Sequence, residues 1–355
     1  MTPGEREQHV ISLIDRLCLT RTLKRDEWIT VIRERTPGAA EHLFELARNV
    51  RHLHYGHDIY IRGLIEFTNY CKNDCYYCGI RKSNANAQRY RLSKEDILAC
   101  CHLGYGLGFR TFVLQGGEDG YFTDDRLCEI VSEIRHQFPD CAITLSVGER
   151  PRESYRRLYE AGADRYLLRH ETYDAEHYGR LHPPQLSAAR RKHCLWVLKE
   201  LGYQVGTGFM VGSPYQTPEN LADDMLFLRK LNPQMVGIGP FVPHHDTPFA
   251  DAPGGTVELT VYMLGLIRLL LPRVLLPATT ALGTIAADGR EQGILAGANV
   301  IMPNLSPPGV REKYLLYDNK LCTGAEAAES LDRLKAQMEK IGYRIAVSRG
   351  DSLNI

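Results

Sequence analysis

Three cysteines fall within eight residues in the stretch EFTNYCKNDCYYCGIR (66–81), spaced as C-x3-C-x2-C. Structural zinc normally takes four ligands, and disulfides take cysteines in pairs, so an odd set this tight needs something to complete it. Cys71, Cys75 and Cys78 are interleaved with Lys72, Asn73 and Asp74, a polar setting that packing alone does not require. Two chemistries are open. One is a zinc ion completed by His52, His54 or His57 upstream. The other is a cubane iron–sulfur cluster, in which three thiolates leave one iron without a protein ligand and free to take a small molecule. A second candidate lies in VLQGGED (113–119), where Gly116 and Gly117 permit close approach to the backbone and Glu118 adds a carboxylate.

Such residues need a scaffold to aim them. Over residues 1–57, Ile14 and Leu17, Trp28 and Ile32, and Leu43 and Leu46 recur at helical spacing. From about residue 59, short apolar segments alternate with amphipathic helical patterns. The strand candidates are 63–67, 110–115, 142–147, 165–170, 204–211, 235–241, 274–280 and 299–302. Ser93 with Asp96 three residues on reads as a capping box for the first intervening helix. Eight such units are the count for an α/β fold closed as a (β/α)8 TIM-type barrel, with a doubly wound open sheet as the alternative. Barrel enzymes place their chemistry at the C-terminal ends of the strands, and both candidate motifs follow strands there. The chain divides into a helical extension (1–57), the barrel (58–323), and a C-terminal helix and tail packed on it (324–355), with the helix over 325–343.

With 43 basic and 43 acidic residues the chain has no net charge, which removes the usual electrostatic case for nucleic acid or an anionic membrane. MTPGEREQHV carries charge where a signal peptide needs an apolar core, and Arg268, Pro272 and Arg273 interrupt the most apolar run. Ten cysteines without a signal segment fit a reducing, cytoplasmic setting.

C-x3-C-x2-C after the first strand, an aromatic (Tyr77) before the last cysteine, and Gly-Gly-Glu after the second strand together resemble the radical S-adenosylmethionine superfamily. The resemblance implies one [4Fe–4S] cluster on Cys71, Cys75 and Cys78, with S-adenosylmethionine chelating its open iron. More narrowly, RTFVLQGGED, GADRYLLRHET, LKELGYQVGTGFMVGSPYQT, LLPATTALGT and GANVIMPN resemble [FeFe]-hydrogenase maturases of the HydE type. Methylornithine synthase and biotin synthase share that subgroup. Gly206 and Thr144 stand where biotin synthases would carry cysteines for a second cluster, which disfavours that member.

Carried over by this resemblance, Tyr77 contacts the adenine, and Gln115, Gly116, Gly117 and Glu118 line the cofactor cleft. Thr144 and Ser146 hydrogen-bond in the same region, while Glu171 and Arg191 fix the ribose and the methionyl carboxylate. The substrate residues are Arg165, Met235, Thr279, Thr280, Met302, Tyr314 and Tyr317. His244 and His245 follow the sixth strand at the same mouth. The implied substrate is a small iron–cysteine precursor, or lysine if the chain is a mutase. The implied partners are a radical enzyme that makes the precursor, a scaffold GTPase that receives the product, and an electron donor such as ferredoxin or flavodoxin. Some maturases of this type hold an accessory cluster near the C-terminus. Cys322 matches its first position, but no cysteine follows from 323 to 355, so a single cluster is expected.

Overall fold

A computed structural model describes residues 2–321 and 328–354, so the reading made at Cys322 lies outside the described residues. Three helices open the chain, α1 (Pro3–Thr20), α2 (Arg25–Arg33) and α3 (Pro37–Tyr55). The Thr2 hydroxyl accepts the Glu5 N–H and the Glu5 carboxylate accepts the Thr2 N–H, closing the capping box that starts α1. Val10, Leu13, Ile14 and Leu17 form its buried face.

The chain then runs β1 (Asp58–Ile61), β2 (Gly63–Thr68), α4 (Lys94–Gly106), β3 (Thr111–Gly116), α5 (Asp124–Gln137), β4 (Ala142–Ser146), α6 (Arg152–Glu160) and β5 (Arg165–Leu167). It continues with α7 (Ala175–Leu181), α8 (Ala188–Glu200), β6 (Gln204–Thr207), β7 (Met210–Val211), α9 (Pro218–Leu231), β8 (Met235–Val236), β9 (Gly239–Pro240) and α10 (Val257–Leu270). Last come α11 (Thr280–Ile285), α12 (Gly289–Leu295), β10 (Val300–Ile301), α13 (Pro308–Arg311), α14 (Leu331–Lys340) and β11 (Arg344–Ala346). Ion pairs from Arg25 to Asp223 and from Arg35 to Glu258 tie the opening helices to α9 and α10.

Parallel pairing runs β2-β3-β4-β5-β6-β8. Single bridges close the ring: Leu275 with Met235, Pro277 with Val300, and Asn304 with Leu64. The result is the expected (β/α)8 barrel. Alternation along each strand turns Ile65, Phe67, Leu114 and Leu145 outward into the core beneath the helices, and Glu66, Gln115 and Ser146 inward.

Several expectations change. The seventh strand contributes isolated bridges only, because Pro277 has no N–H to give a ladder. The segments 204–211 and 235–241 each break into two short strands. They break where a Cβ on Gly208 would lie 1.9 Å from the Gly237 carbonyl oxygen, so backbone meets backbone. The C-terminal helix is shorter than expected, and beyond it β11 pairs in parallel with β1, which no sequence pattern announced. The tail then lays a floor under the barrel. Asp351 Oδ1 accepts from Arg165 at 2.6 Å and Gln204 at 3.0 Å, and Leu353 N–H donates to the Tyr55 hydroxyl at 3.2 Å.

Candidate active site

A cavity of about 370 Å³ opens at the C-terminal ends of the strands, within the range of small-molecule sites of about 300–1,000 Å³. The loop after β2 carries Cys71, Cys75 and Cys78 to its edge. One side chain gathers that loop: the Arg89 guanidinium donates to the carbonyls of Asn69, Ile80, Arg81 and Asn84 at 2.5–3.1 Å. Asp74 adds a second tie, accepting from Arg81 Nε and the Ser83 hydroxyl, each at 2.7 Å.

Burial raises all three thiols, Cys78 to about 12 and Cys75 well above the ordinary range. Thiols so hard to ionise become ligands when a bound cation supplies the charge that favours thiolate. Three thiols at one cavity edge match the ligand number of a cluster that leaves one iron open, whereas structural zinc asks for a fourth protein ligand. The zinc reading also fails for its histidines. His52 and His57 stack on each other beside Tyr343, before β1, at the end of the barrel opposite the cysteine loop. The donor set fits an iron–sulfur cluster.

The Gly-Gly-Glu turn is built against that loop. A Cβ on Gly117 would lie 2.1 Å from the Tyr70 carbonyl oxygen and 2.8 Å from Cys71 Cβ. Lys72 N–H donates to the Glu118 carbonyl at 2.9 Å. The Glu118 side chain lies over Gly148, whose φ of +79° only glycine adopts freely and where a Cβ would lie 2.0 Å from Glu118 Cγ. Its carboxylate accepts the Glu149 N–H at 3.0 Å and stands 3.1 Å from Lys72 Nζ.

Arg191 comes in from α8, buried. Its Nε is 3.0 Å from Glu149 Oε1 and its Nη1 is 4.0 Å from Glu118 Oε1. The Arg191 Nε–Glu149 contact is not aligned as a hydrogen bond, so both atoms keep the capacity for another partner. Burial works against the charge of Arg191, but Tyr178, Glu149 and Glu118 outweigh it and raise its pKa. Glu171, just beyond β5, faces the cavity with a buried Oε2 that has no hydrogen bond; Arg169 stands 3.2 Å away without alignment. Tyr77 is fixed by its hydroxyl, 3.1 Å from His182 Nε2. The other ring nitrogen of His182 is 2.9 Å from the Tyr178 carbonyl, which makes Nδ1 the donor and Nε2 the acceptor for Tyr77.

Register sets depth. Glu66, Gln115 and Ser146 pair across β2, β3 and β4 in one row, and all three reach the cavity. Met235, Thr279, Thr280, Met302, Tyr314 and Tyr317 line its remaining wall. Two expected residues do not. Thr144 and Arg165 belong to the row two residues deeper, about 6.6 Å down the strands. They border a separate space of about 10 Å³ at the floor. Arg165 is occupied there by Asp351, the Arg349 carbonyl, Thr111 and Gln204 rather than presented to a substrate in the upper cavity. The two histidines after β9 are also displaced from the cavity. His244 packs its ring on Gly79, and His245 is exposed with Nδ1 2.6 Å from Asp318.

Three charged cavity residues escape a reading of the sequence. Glu66 is fully buried, and its carboxylate accepts from Lys320 Nζ at 2.6 Å and Asn304 at 2.8 Å. A charge inside the apolar strand GLIEF was the available signal, since a buried carboxylate demands partners. Arg169 alternates with Glu171 along the strand direction, a period-two signal for a shared face. Lys320 had none.

The Radical SAM superfamily model matches residues 65–228. The chain is 46% identical over 307 residues to the [FeFe] hydrogenase maturase subunit HydE of Thermotoga maritima, covering 86% of this chain and 87% of that one. It is 30% identical over 315 residues to 3-methylornithine synthase of Methanosarcina barkeri, covering 87% of each. Among solved structures it superposes on methylornithine synthase (PylB) with a TM-score of 0.83 at 26% identity, covering 94% of this chain and 97% of that one.

Proposed function

The chain belongs to the radical S-adenosylmethionine superfamily and, within it, to the HydE-type maturases, and from that premise we propose that it remodels a small iron–cysteine precursor during assembly of the [FeFe]-hydrogenase cofactor. It is a radical S-adenosylmethionine enzyme, and the family implies a [4Fe–4S] cluster with S-adenosylmethionine. The identity to HydE across most of both chains carries the maturase reading.

In this proposal Cys71, Cys75 and Cys78 hold the only cluster. When bound, cluster and S-adenosylmethionine together supply the electron transfer that yields a 5′-deoxyadenosyl radical. The protein's own work is to bind, orient and exclude water. Glu118 would accept from an N–H of the methionyl amino group and Arg191 would fork onto the methionyl carboxylate. Glu171 accepts from the ribose hydroxyls, which suit its unpaired Oε2. Tyr77 packs on the adenine, and Gln115, Gly116, Gly117 and Ser146 line the cleft. Met235 and Met302 give an apolar wall, while Thr279, Thr280, Tyr314 and Tyr317, with Arg169 and Lys320, offer polar contacts to the substrate. Partners of the reaction are a precursor-forming radical enzyme, a scaffold GTPase, and a ferredoxin or flavodoxin as electron donor, in the cytoplasm; no nucleic acid or membrane takes part. Among the described residues no helix is long and apolar enough to cross a membrane.

Arg191→Ala should weaken S-adenosylmethionine binding by the loss of a charge-assisted contact. That is about 1.5–3 kcal/mol, or roughly ten- to hundredfold in Kd by anaerobic calorimetry. A Kd within error of the wild type would remove Arg191 from the cofactor site.

The structural likeness to methylornithine synthase supports one competing reading, an amino-acid mutase with lysine in the same cavity. Maturation of an apo-hydrogenase with and without the anaerobically reconstituted protein separates the two. Restored hydrogenase activity supports the maturase, and lysine turnover without restored activity supports the mutase.

A further inference from the structure

Glu171 holds φ at +65°, the left-handed region that is unfavourable for every residue except glycine. A residue kept there needs neighbours that over-determine it. Its N–H donates to the Gly208 carbonyl at 3.0 Å, and its own carbonyl accepts from the Met210 N–H at 3.2 Å. Buried side chains fix the residues on either side. His170 turns away from the cavity, wholly buried, with Nε2 3.1 Å from Asp224 Oδ1 and Nδ1 2.9 Å from Thr207 Oγ1. The same Asp224 Oδ1 accepts the Tyr173 N–H at 2.6 Å. Asp224 therefore ties residue 170 to residue 173 across the strained position. His177 Nδ1 adds a hold on Thr172 Oγ1 at 3.0 Å.

This staple is not explained by stability. Asp224, on α9, is fully buried, and its Oδ2 has no hydrogen-bond partner. A buried carboxyl with an orphan oxygen costs more than an apolar side chain of similar size. Burial pushes His170 down to about 3, so its ring is neutral, and burial also raises Asp224. What the arrangement delivers is geometry.

We propose that Asp224 and His170 are positioning residues that lock Glu171 in its left-handed conformation and so aim its carboxylate at the sugar hydroxyls of the cofactor. The inference rests on Glu171 contacting S-adenosylmethionine, and a double-mutant cycle separates the two claims. On anaerobically reconstituted protein, Glu171→Gln alone should raise the Kd for S-adenosylmethionine about tenfold. Asp224→Leu should do the same, and adding Glu171→Gln to it should change the Kd by less than about twofold, because the carboxylate no longer reaches. Hydrogen exchange of the cofactor-free protein gives a second readout: the Tyr173 amide should exchange faster in Asp224→Leu while amides of β3 and β4 keep their protection. Should Asp224→Leu fail to accumulate, Thr207→Val is nearly isosteric and frees only the His170 ring. Its first step should be about threefold, after which Glu171→Gln should cost only about a further threefold instead of about tenfold. Wild-type affinity in these variants, or strictly additive effects, would overturn the staple and leave the role of Glu171 standing. An unchanged Kd in Glu171→Gln alone would remove the cofactor contact, and the positioning role with it.

Discussion

Replacement of any one of Cys71, Cys75 or Cys78 by alanine is expected to abolish reductive cleavage of S-adenosylmethionine. Each thiolate would hold a different iron of the cluster. The histidines nearest in sequence sit at the other end of the barrel, against Tyr343. Two thiolates hold a cubane poorly, and the iron left open for the cofactor exists only while the other three are held. After anaerobic reconstitution and dithionite reduction, each variant should form 5′-deoxyadenosine no faster than a protein-free control. The fold should survive, because the three residues lie in a loop gathered by Arg89 and Asp74 rather than in the core. A cysteine variant that still releases 5′-deoxyadenosine would show that the cluster has other ligands.

A comparable loss should follow from a single methyl group. In Gly117→Ala the new Cβ would meet the Tyr70 carbonyl oxygen at 2.1 Å and Cys71 Cβ at 2.8 Å, and the first of these is backbone that no rotamer change can move. Overpacking of this kind costs about 1–3 kcal/mol. The more telling effect is positional, because the strain pushes Cys71 and its loop away from the strand end that carries Glu118. Misplacement by about 1 Å at a reacting centre can cost about a hundredfold in rate. The expected result is a folded protein with low cluster content and cleavage reduced by about that factor. Gly120→Ala is the control, since nothing lies within 4 Å of its added Cβ, and it should behave as the wild type. Equal activity in the two variants would show that the close crossing at Gly117 does not constrain the site.

Legibility in the sequence followed the range of the interactions involved. The cysteine loop and the Gly-Gly-Glu turn are local, and their spacing already carries the chemistry. The barrel was readable because each βα unit repeats the same change of hydrophobic period. Depth was not. Thr144 and Ser146 lie on the same face of β4, yet only Ser146 reaches the cavity, and which row forms the floor is decided by where the strands start and by a tail that closes on Asp351. That tail comes from the far end of the chain, so nothing near Arg165 could announce its partner. Lys320 was invisible for the same reason, since its link to Glu66 spans 254 residues. The strain at Glu171 is a property of φ, and a glutamate in a sequence says nothing about it.

The most direct test is the electron paramagnetic resonance of the reduced, reconstituted protein before and after addition of S-adenosylmethionine labelled with ¹⁵N in its amino group. An iron left open by Cys71, Cys75 and Cys78 predicts a [4Fe–4S] signal whose g-values shift on addition. It also predicts a resolved ¹⁵N hyperfine coupling that shows the amino nitrogen bound to the cluster. A spectrum unchanged by saturating S-adenosylmethionine, or the absence of any cluster signal from a protein that carries zinc, would contradict the account.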